Sequence, residues 1–182
     1  MNKLDRNFYE GKTEAVAQAL LGMYLVHHVD ARPRIGRIVE VEAYLGPQDL
    51  AAHSSKGVTA RTRVMFGPAG HAYVYQIYGL HYCMNVVTEG ATGTAVLLRA
   101  LEPVENLPER TQGPALLCKA MQIDRRQNGM DLLSETFYIA RPDESPSFTI
   151  VRRPRIGVDY AGQWARRLLR FYVRGNPFVS RA

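Results

Sequence analysis

The alternation of apolar and polar positions predicts short elements, with strands outnumbering helices. Residues 13–21 read as a short helix with Thr13 as its N-cap and Gly22 just beyond its end, and residues 23–29 follow as a strand. Residues 36–45 are a clearer strand. Because strand side chains alternate, Val39, Val41 and Ala43 fall on one face and Ile38, Glu40, Glu42 and Tyr44 on the other. Residues 73–87 and 94–100 are β-branched or aromatic segments on either side of the turn Glu89-Gly90-Ala91-Thr92-Gly93, and they predict an antiparallel pair. Pro114 at a first helical position opens a helix to about residue 123. Residues 164–169 read as a helical turn and 170–174 as a strand, while the proline-rich stretches 103–114 and 141–154 read as loops. Strands and helices do not alternate regularly. The expected fold class is therefore α+β, a single domain over residues 1–182 with a curved, largely antiparallel β-sheet surrounded by short helices.

Composition agrees with one core. With 182 residues, 46% of them hydrophobic and 22% charged, the chain belongs to the globular class, not to disordered, collagen-like or coiled-coil sequences. No apolar run approaches the roughly 20 residues of a membrane span. The first residues, MNKLDRNFYEGKTEA, contain three acids and no apolar core, which argues against a secretory signal and for a cytoplasmic location. Cys83 and Cys118 lack C-x-x-C spacing, which excludes a disulfide framework and a cysteine-rich zinc site. Both are expected to be small buried hydrophobes. The net charge of +6 is unevenly distributed. Residues 1–140 carry as many acids as bases, whereas 141–182 carry nine arginines, no lysine and three acids. Arginine binds phosphate in a bidentate way, so this segment fits either a polyanionic partner or an ordinary solvated face.

Four groups of residues could carry chemistry. Glu40 and Glu42 project from one strand face about 7 Å apart. Beside a cleft, desolvation and repulsion would raise the proton affinity of one of them, as a general base requires, and the pattern does not say which. Tyr73, Tyr75, Tyr78 and Tyr82 lie within ten residues. Tyr73 and Tyr75 share a face, and Tyr78, before Gly79, sits where the strand turns or bulges. Such aromatics serve packing, or they hold and displace nucleobases. Arg99 interrupts the apolar strand VLLRALEP and needs an anionic partner, with Glu40, Glu42 and Glu102 as candidates. His53 follows the turn Gly46-Pro47-Gln48-Asp49. No H-E-x-x-H, zinc-deaminase, G-x-S-x-G or P-loop pattern is present, which disfavours a metal site, a serine hydrolase and an NTPase.

EVEAYLGPQDLAAH (40–53), MFGPAGHAYVYQIYGLHYCMN (65–85), VLLRALEP (96–103) and RIGVDYAGQWA with LRFYVRGNPFVS (155–180) together resemble the alkyladenine, or methylpurine (3-methyladenine), DNA glycosylases. With the N-terminal helix the resemblance covers nearly the whole chain. Ala60 and Ala115 depart from the family's usual proline and glycine, in a loop and at a helix start. The resemblance implies Glu42 as the general base that activates water, and Arg99 as the group positioning carboxylate and water. It implies Tyr44, His53 and Tyr75 around an extruded base and Asn85 as the side chain disfavouring guanine. Ile156 would line the pocket through its backbone, Tyr78 would be the intercalating wedge, and Arg61 and Arg63 would lie near phosphates.

The implied activity is base-excision repair: a monofunctional, monomeric glycosylase that flips damaged purines out of double-stranded DNA and cleaves the N-glycosidic bond, leaving an abasic site. Its implied substrates are 3-methyladenine, 7-methylguanine, hypoxanthine and ethenoadenine, with no cofactor, metal or membrane. The four motifs contain no lysine for Schiff-base chemistry. Two other readings use some of the same residues: a damaged-DNA-binding protein without turnover, and a hydrolase of free nucleosides with no use for Tyr78. Arg152, Arg153, Arg155, Arg166, Arg167 and Arg170 are the candidates for phosphate contact in the basic C-terminal segment.

Overall fold

The computed structural model describes residues 1–144 and 147–182. In chain order its elements are β1 (Asn2–Lys3), α1 (Arg6–Tyr9), α2 (Thr13–Leu20), β2 (Tyr24–Val29), β3 (Arg32–Tyr44), β4 (Ala72–Ile77), β5 (His81–Thr88), β6 (Thr94–Glu105), α3 (Pro114–Met121), β7 (Phe137–Arg141), β8 (Ile150–Arg153) and β9 (Arg170–Val173). Short 3₁₀ turns occupy His53–Lys56, Arg63–Phe66, Arg125–Gln127 and Asp159–Arg166. The expected α+β class holds: the strands form one antiparallel sheet, in the order β1-β7-β2-β3-β6-β5-β4, with β9 on β3 and β8 outside β9.

Strand β3 organises the sheet. One of its edges pairs with β6 along most of its length, while the other is shared. Residues Arg32 to Arg37 pair with β2, and Glu40 to Glu42 pair with β9. The register slips between Ile38 and Glu40 and again between Glu40 and Val41, and such irregularity bends a strand. Ile38 accordingly joins Val39, Val41 and Ala43 in the main core, and does not stay on the opposite side as strict alternation predicts. Helices α2 and α3 cover this core, which includes Leu20, Leu25, Leu98, Leu117, Met121 and Phe171. Cys83 and Cys118 are both free and buried. No helix among the described residues is long and apolar enough to cross a membrane.

Several boundaries move. Lys12, not Thr13, is the N-cap of α2; the Thr13 hydroxyl instead shares a hydrogen bond of 2.9 Å with that of Thr88. Gly22 ends the helix with a φ of +86°, a conformation glycine adopts without a Cβ penalty. Residues 73–87 divide into β4 and β5 at a tight turn. The proline-rich stretches are only partly loop, since Pro103 lies in β6 and 150–153 form β8. The last helical turn spans Asp159–Arg166, earlier than expected. Strands β1 and β7 and the single turn α1 are too short to show a period; Asp5 caps α1 by accepting the Phe8 N–H at 3.1 Å.

The turn between β5 and β6 packs closely against the neighbouring 3₁₀ segments. Gly93 has a φ of +74°, and a Cβ there would lie 2.7 Å from the Phe66 ring and 3.0 Å from Ser54 Cβ. Gly93→Ala is expected to lower unfolding free energy by about 1–3 kcal/mol in urea titrations, through strain and overpacking together. Unchanged stability would mean that the turn relaxes freely.

Candidate active site

Strands β3, β4, β5 and β6 converge with the loops after β3 and β8 on a cavity of about 270 Å³. Glu42 and Tyr44 reach it from β3, Tyr73 and Tyr75 from β4, Cys83 and Asn85 from β5, and Leu97 and Arg99 from β6. The loops add His53, Arg61, Ile156 and Tyr160.

The two carboxylates of β3 have different surroundings. Glu40 does not line the cavity; its Oε1 accepts from Arg99 Nε at 3.2 Å and Arg170 Nη1 at 3.0 Å, and its Oε2 accepts the Ser180 N–H at 2.7 Å. Glu42 lines the cavity although its side chain is fully buried in the protein. Its Oε1 accepts the Ile156 N–H at 2.8 Å and lies 3.4 Å from Arg99 Nη1, while its Oε2 accepts the Tyr44 hydroxyl at 2.8 Å. Burial pushes the Glu42 carboxyl above the ordinary carboxylate range. Arg99, the Ile156 N–H and the Tyr44 hydroxyl oppose that shift without cancelling it. Burial also works against the charge of Arg99, but Glu42 and Glu40 outweigh it and raise the guanidinium's proton affinity.

The walls are aromatic. His53 Nδ1 and the Tyr73 hydroxyl share a hydrogen bond of 3.0 Å, and the His53 ring meets Tyr75 edge-on at 4.5 Å between centroids. Burial, with a further contribution from Arg61, lowers the His53 pKa and so favours the neutral imidazole. Asn85 is buried and donates to the Tyr73 carbonyl at 3.1 Å. Tyr73 stands out in sequence only as part of the tyrosine cluster; its position against both His53 and Asn85 depends on the β4–β5 pairing. At the end of that hairpin the Leu80 N–H reaches the Ile77 carbonyl at 3.2 Å. Tyr78 and Gly79 have φ values of +51° and +66°, as a type I′ turn requires. The turn presents Tyr78 at the cavity mouth with 92% of its surface exposed.

The arginines do not act as a group. Arg61 lines the cavity with its guanidinium 5.1 Å from the Tyr75 centroid, whereas Arg63 is exposed and outside the lining. In the basic C-terminal segment, Arg155 and Arg170 are corrections to the set of six phosphate-contact candidates, because both are buried in ion pairs with Asp49 and Glu40. Buried charges require such partners. Arg152, Arg153, Arg166 and Arg167 remain exposed.

The sequence that builds this site has relatives. The family model for methylpurine-DNA glycosylase (MPG) matches residues 7–177. The chain belongs to the methylpurine-DNA glycosylase family. A Legionella pneumophila (strain Corby) protein, provisionally named a 3-methyladenine DNA glycosylase, is 63% identical over 182 residues, covering 100% of both chains. Proteins with the same provisional name from Myxococcus xanthus (strain DK1622) and Anaeromyxobacter sp. (strain Fw109-5) are 50% and 52% identical, and the alignments cover 100% and 99% of this chain and 95% and 93% of theirs. Membership of a methylpurine-DNA glycosylase family makes DNA the partner.

Neutral substitutions among Arg152, Arg153, Arg166 and Arg167 should lower the slope of log affinity for DNA against log salt by about 0.9 for each phosphate that the variant no longer neutralises. Folded variants at Arg155 and Arg170 should keep the wild-type slope. Binding titrations over a salt series measure both, and an unaltered slope at all four exposed positions would mark them as a solvated face.

Proposed function

We propose that this methylpurine-DNA glycosylase flips damaged purines out of duplex DNA into the aromatic cavity and hydrolyses the N-glycosidic bond with water activated by Glu42. The product is an intact DNA strand with an abasic site. The observation that carries the reading is Glu42 itself, a buried carboxylate of raised proton affinity, held by two hydrogen-bond donors and an ion pair with Arg99 and facing a cavity with aromatic walls. The base must leave the stack before water can attack, at a cost of a few kcal/mol, and Tyr78 fills the gap it leaves. Damage that weakens pairing lowers this cost.

In the cavity, Tyr44 and Tyr75 face the base together with His53. Electron-rich rings attract the positively charged 3-methyladenine and 7-methylguanine, and a neutral His53 adds no repulsion. Hypoxanthine and ethenoadenine are neutral and rely on stacking and shape. Asn85 and the backbone at Ile156 set the edge of the site, with Asn85 disfavouring the exocyclic amine of guanine. As the bond between C1′ and the base nitrogen breaks, its electron pair leaves with the purine and positive charge develops on the sugar. Glu42 stabilises that charge and takes a proton from the water whose oxygen bonds to C1′. Arg99 holds the carboxylate in place. No lysine among the described residues lines the cavity, which supports hydrolysis without a Schiff base. In this reading the enzyme works as a cytoplasmic monomer without metal or cofactor, and Arg61 and Arg63 approach the phosphates beside the flipped nucleotide.

Release of each lesion from duplex DNA, measured under single-turnover conditions, should fall about 10²- to 10⁴-fold in Glu42→Gln, the usual range for general-base catalysis. Undiminished release would sink the assignment of Glu42. A protonated carboxyl cannot accept a proton, so as pH falls kcat/KM should decline above the ordinary carboxylate range, following the upward shift of Glu42. Tyr78→Ala should slow excision from duplex far more than from single-stranded DNA. Equal effects on the two would remove the wedge.

A further inference from the structure

Asp49 and Arg155 lie outside the cavity lining, yet their ion pair adjoins both hydrogen-bond donors that hold the oxygens of Glu42. Arg155 Nη1 and Nη2 donate to the two Asp49 oxygens at 2.6 and 2.9 Å, and both side chains are fully buried. Two further donations go to the backbone, Nη1 to the Ala43 carbonyl at 3.0 Å and Nη2 to the Trp164 carbonyl at 3.3 Å, while Nε has no partner among the described residues. Asp49 in turn accepts the Leu45 N–H at 3.0 Å and the Ala51 N–H at 3.1 Å. One guanidinium thereby ties the end of β3, the loop that leads to His53, the loop after β8 and the 3₁₀ turn behind it.

Two further contacts link this tie to chemistry. The Ile156 N–H that donates to Glu42 Oε1 belongs to the peptide group formed by the Arg155 carbonyl. The Arg155 guanidinium also lies 4.7 Å from the centroid of Tyr44, whose hydroxyl donates to Glu42 Oε2. We propose that Asp49 and Arg155 are positioning residues that hold the two donors, the Ile156 N–H and the Tyr44 hydroxyl, on the two oxygens of Glu42. The proposal rests on the reading of Glu42 as the general base. A buried ion pair contributes little net stability over a well-packed apolar pair. Its forked geometry is what a lysine or an aliphatic side chain could not reproduce.

The charged and titratable groups around Glu42 are Arg99 on β6, Tyr44 on β3, Tyr75 on β4, Cys83 on β5 and Arg155 itself. Arg155→Lys retains the positive charge and removes the fork. It is expected to slow single-turnover excision of hypoxanthine from duplex DNA at neutral pH by about 10²-fold, the effect of a misplacement near 1 Å. Affinity for a duplex carrying a tetrahydrofuran abasic analogue should stay at the wild-type value. The acid limb of the pH–rate profile should move to higher pH, because loosening two donors to the charged carboxylate raises its proton affinity further. A merely structural tie would not move that limb. Asp49→Glu retains both charges and displaces the guanidinium by one methylene, so the same shifts are expected in the same direction.

Excision at the wild-type rate, or a slower rate with an unmoved acid limb in a variant that melts cooperatively and binds the duplex, would overturn the proposal. If Arg155→Lys does not fold, Asp49→Glu decides by the same measurements, and if neither folds the pair is a structural tie alone. Undiminished release by Glu42→Gln tests the Glu42 reading by itself, in a protein with the pair intact, so the two failures are distinguishable.

Discussion

Placing charge on an interior strand is the constraint on which the rest of this structure depends. Glu40 and Glu42 on β3 have no exposed surface, and Arg99 and Arg170 are 8% and 5% exposed. An isolated buried ion costs several kcal/mol, so each of the four must find partners within the fold. The charges balance in number but not in distribution. Glu40 receives both arginines and the Ser180 N–H, whereas Glu42 receives one arginine at 3.4 Å and two neutral donors. The under-compensated carboxylate is the one that faces the cavity, with its proton affinity raised. Glu40 anchors the C-terminal segment, and that anchoring brings Arg170 and Ser180 against Arg99.

The sheet makes this possible because β3 has more length than β2 uses. Beyond the shared edge with β2, the register slip and the return of β9 complete the pairing at Glu40, Val41 and Glu42. The loop between β8 and β9 therefore closes over the same part of β3 that carries the carboxylates and supplies the Ile156 N–H. On the far side of β6, the β4–β5 hairpin supplies the aromatic wall, and its tip points Tyr78 outward. Rigid strands hold the inner groups, while the exposed aromatic sits on a tight turn stabilised by Leu80 N–H to Ile77 and Gln76 Nε2 to the Gly79 carbonyl.

Much of this was legible from local signals. Alternation located the strand carrying Glu40, Glu42 and Tyr44, Pro114 located α3, and the glycine-flanked turn 89–93 joined β5 to β6. The apolar run around Arg99 required an acidic partner and proved to have two of the three candidates. Other features were illegible for definite reasons. Strands β1, β7 and β8 are short, and a few residues show no period. Tyr73 is indistinguishable from a packing residue in the sequence because its contacts to His53 and Asn85 come from other elements. The arginine-rich C-terminal segment reads as uniform, although Arg155 and Arg170 are interior and Arg152, Arg153, Arg166 and Arg167 face solvent.

The sequence by itself determined the residue types, the period of the strands, the turns that glycine and proline permit, and a set of motifs specific enough to point to one enzyme family. Those features act over a few neighbouring residues, where steric and hydrogen-bonding preferences are already complete. Only the tertiary structure decided which of two equivalent-looking glutamates faces a cavity with raised proton affinity, and which arginines are spent on interior carboxylates. Charge state follows from desolvation and from partners remote in sequence, here an N–H 114 residues from Glu42 and a carboxylate 106 residues from Arg155.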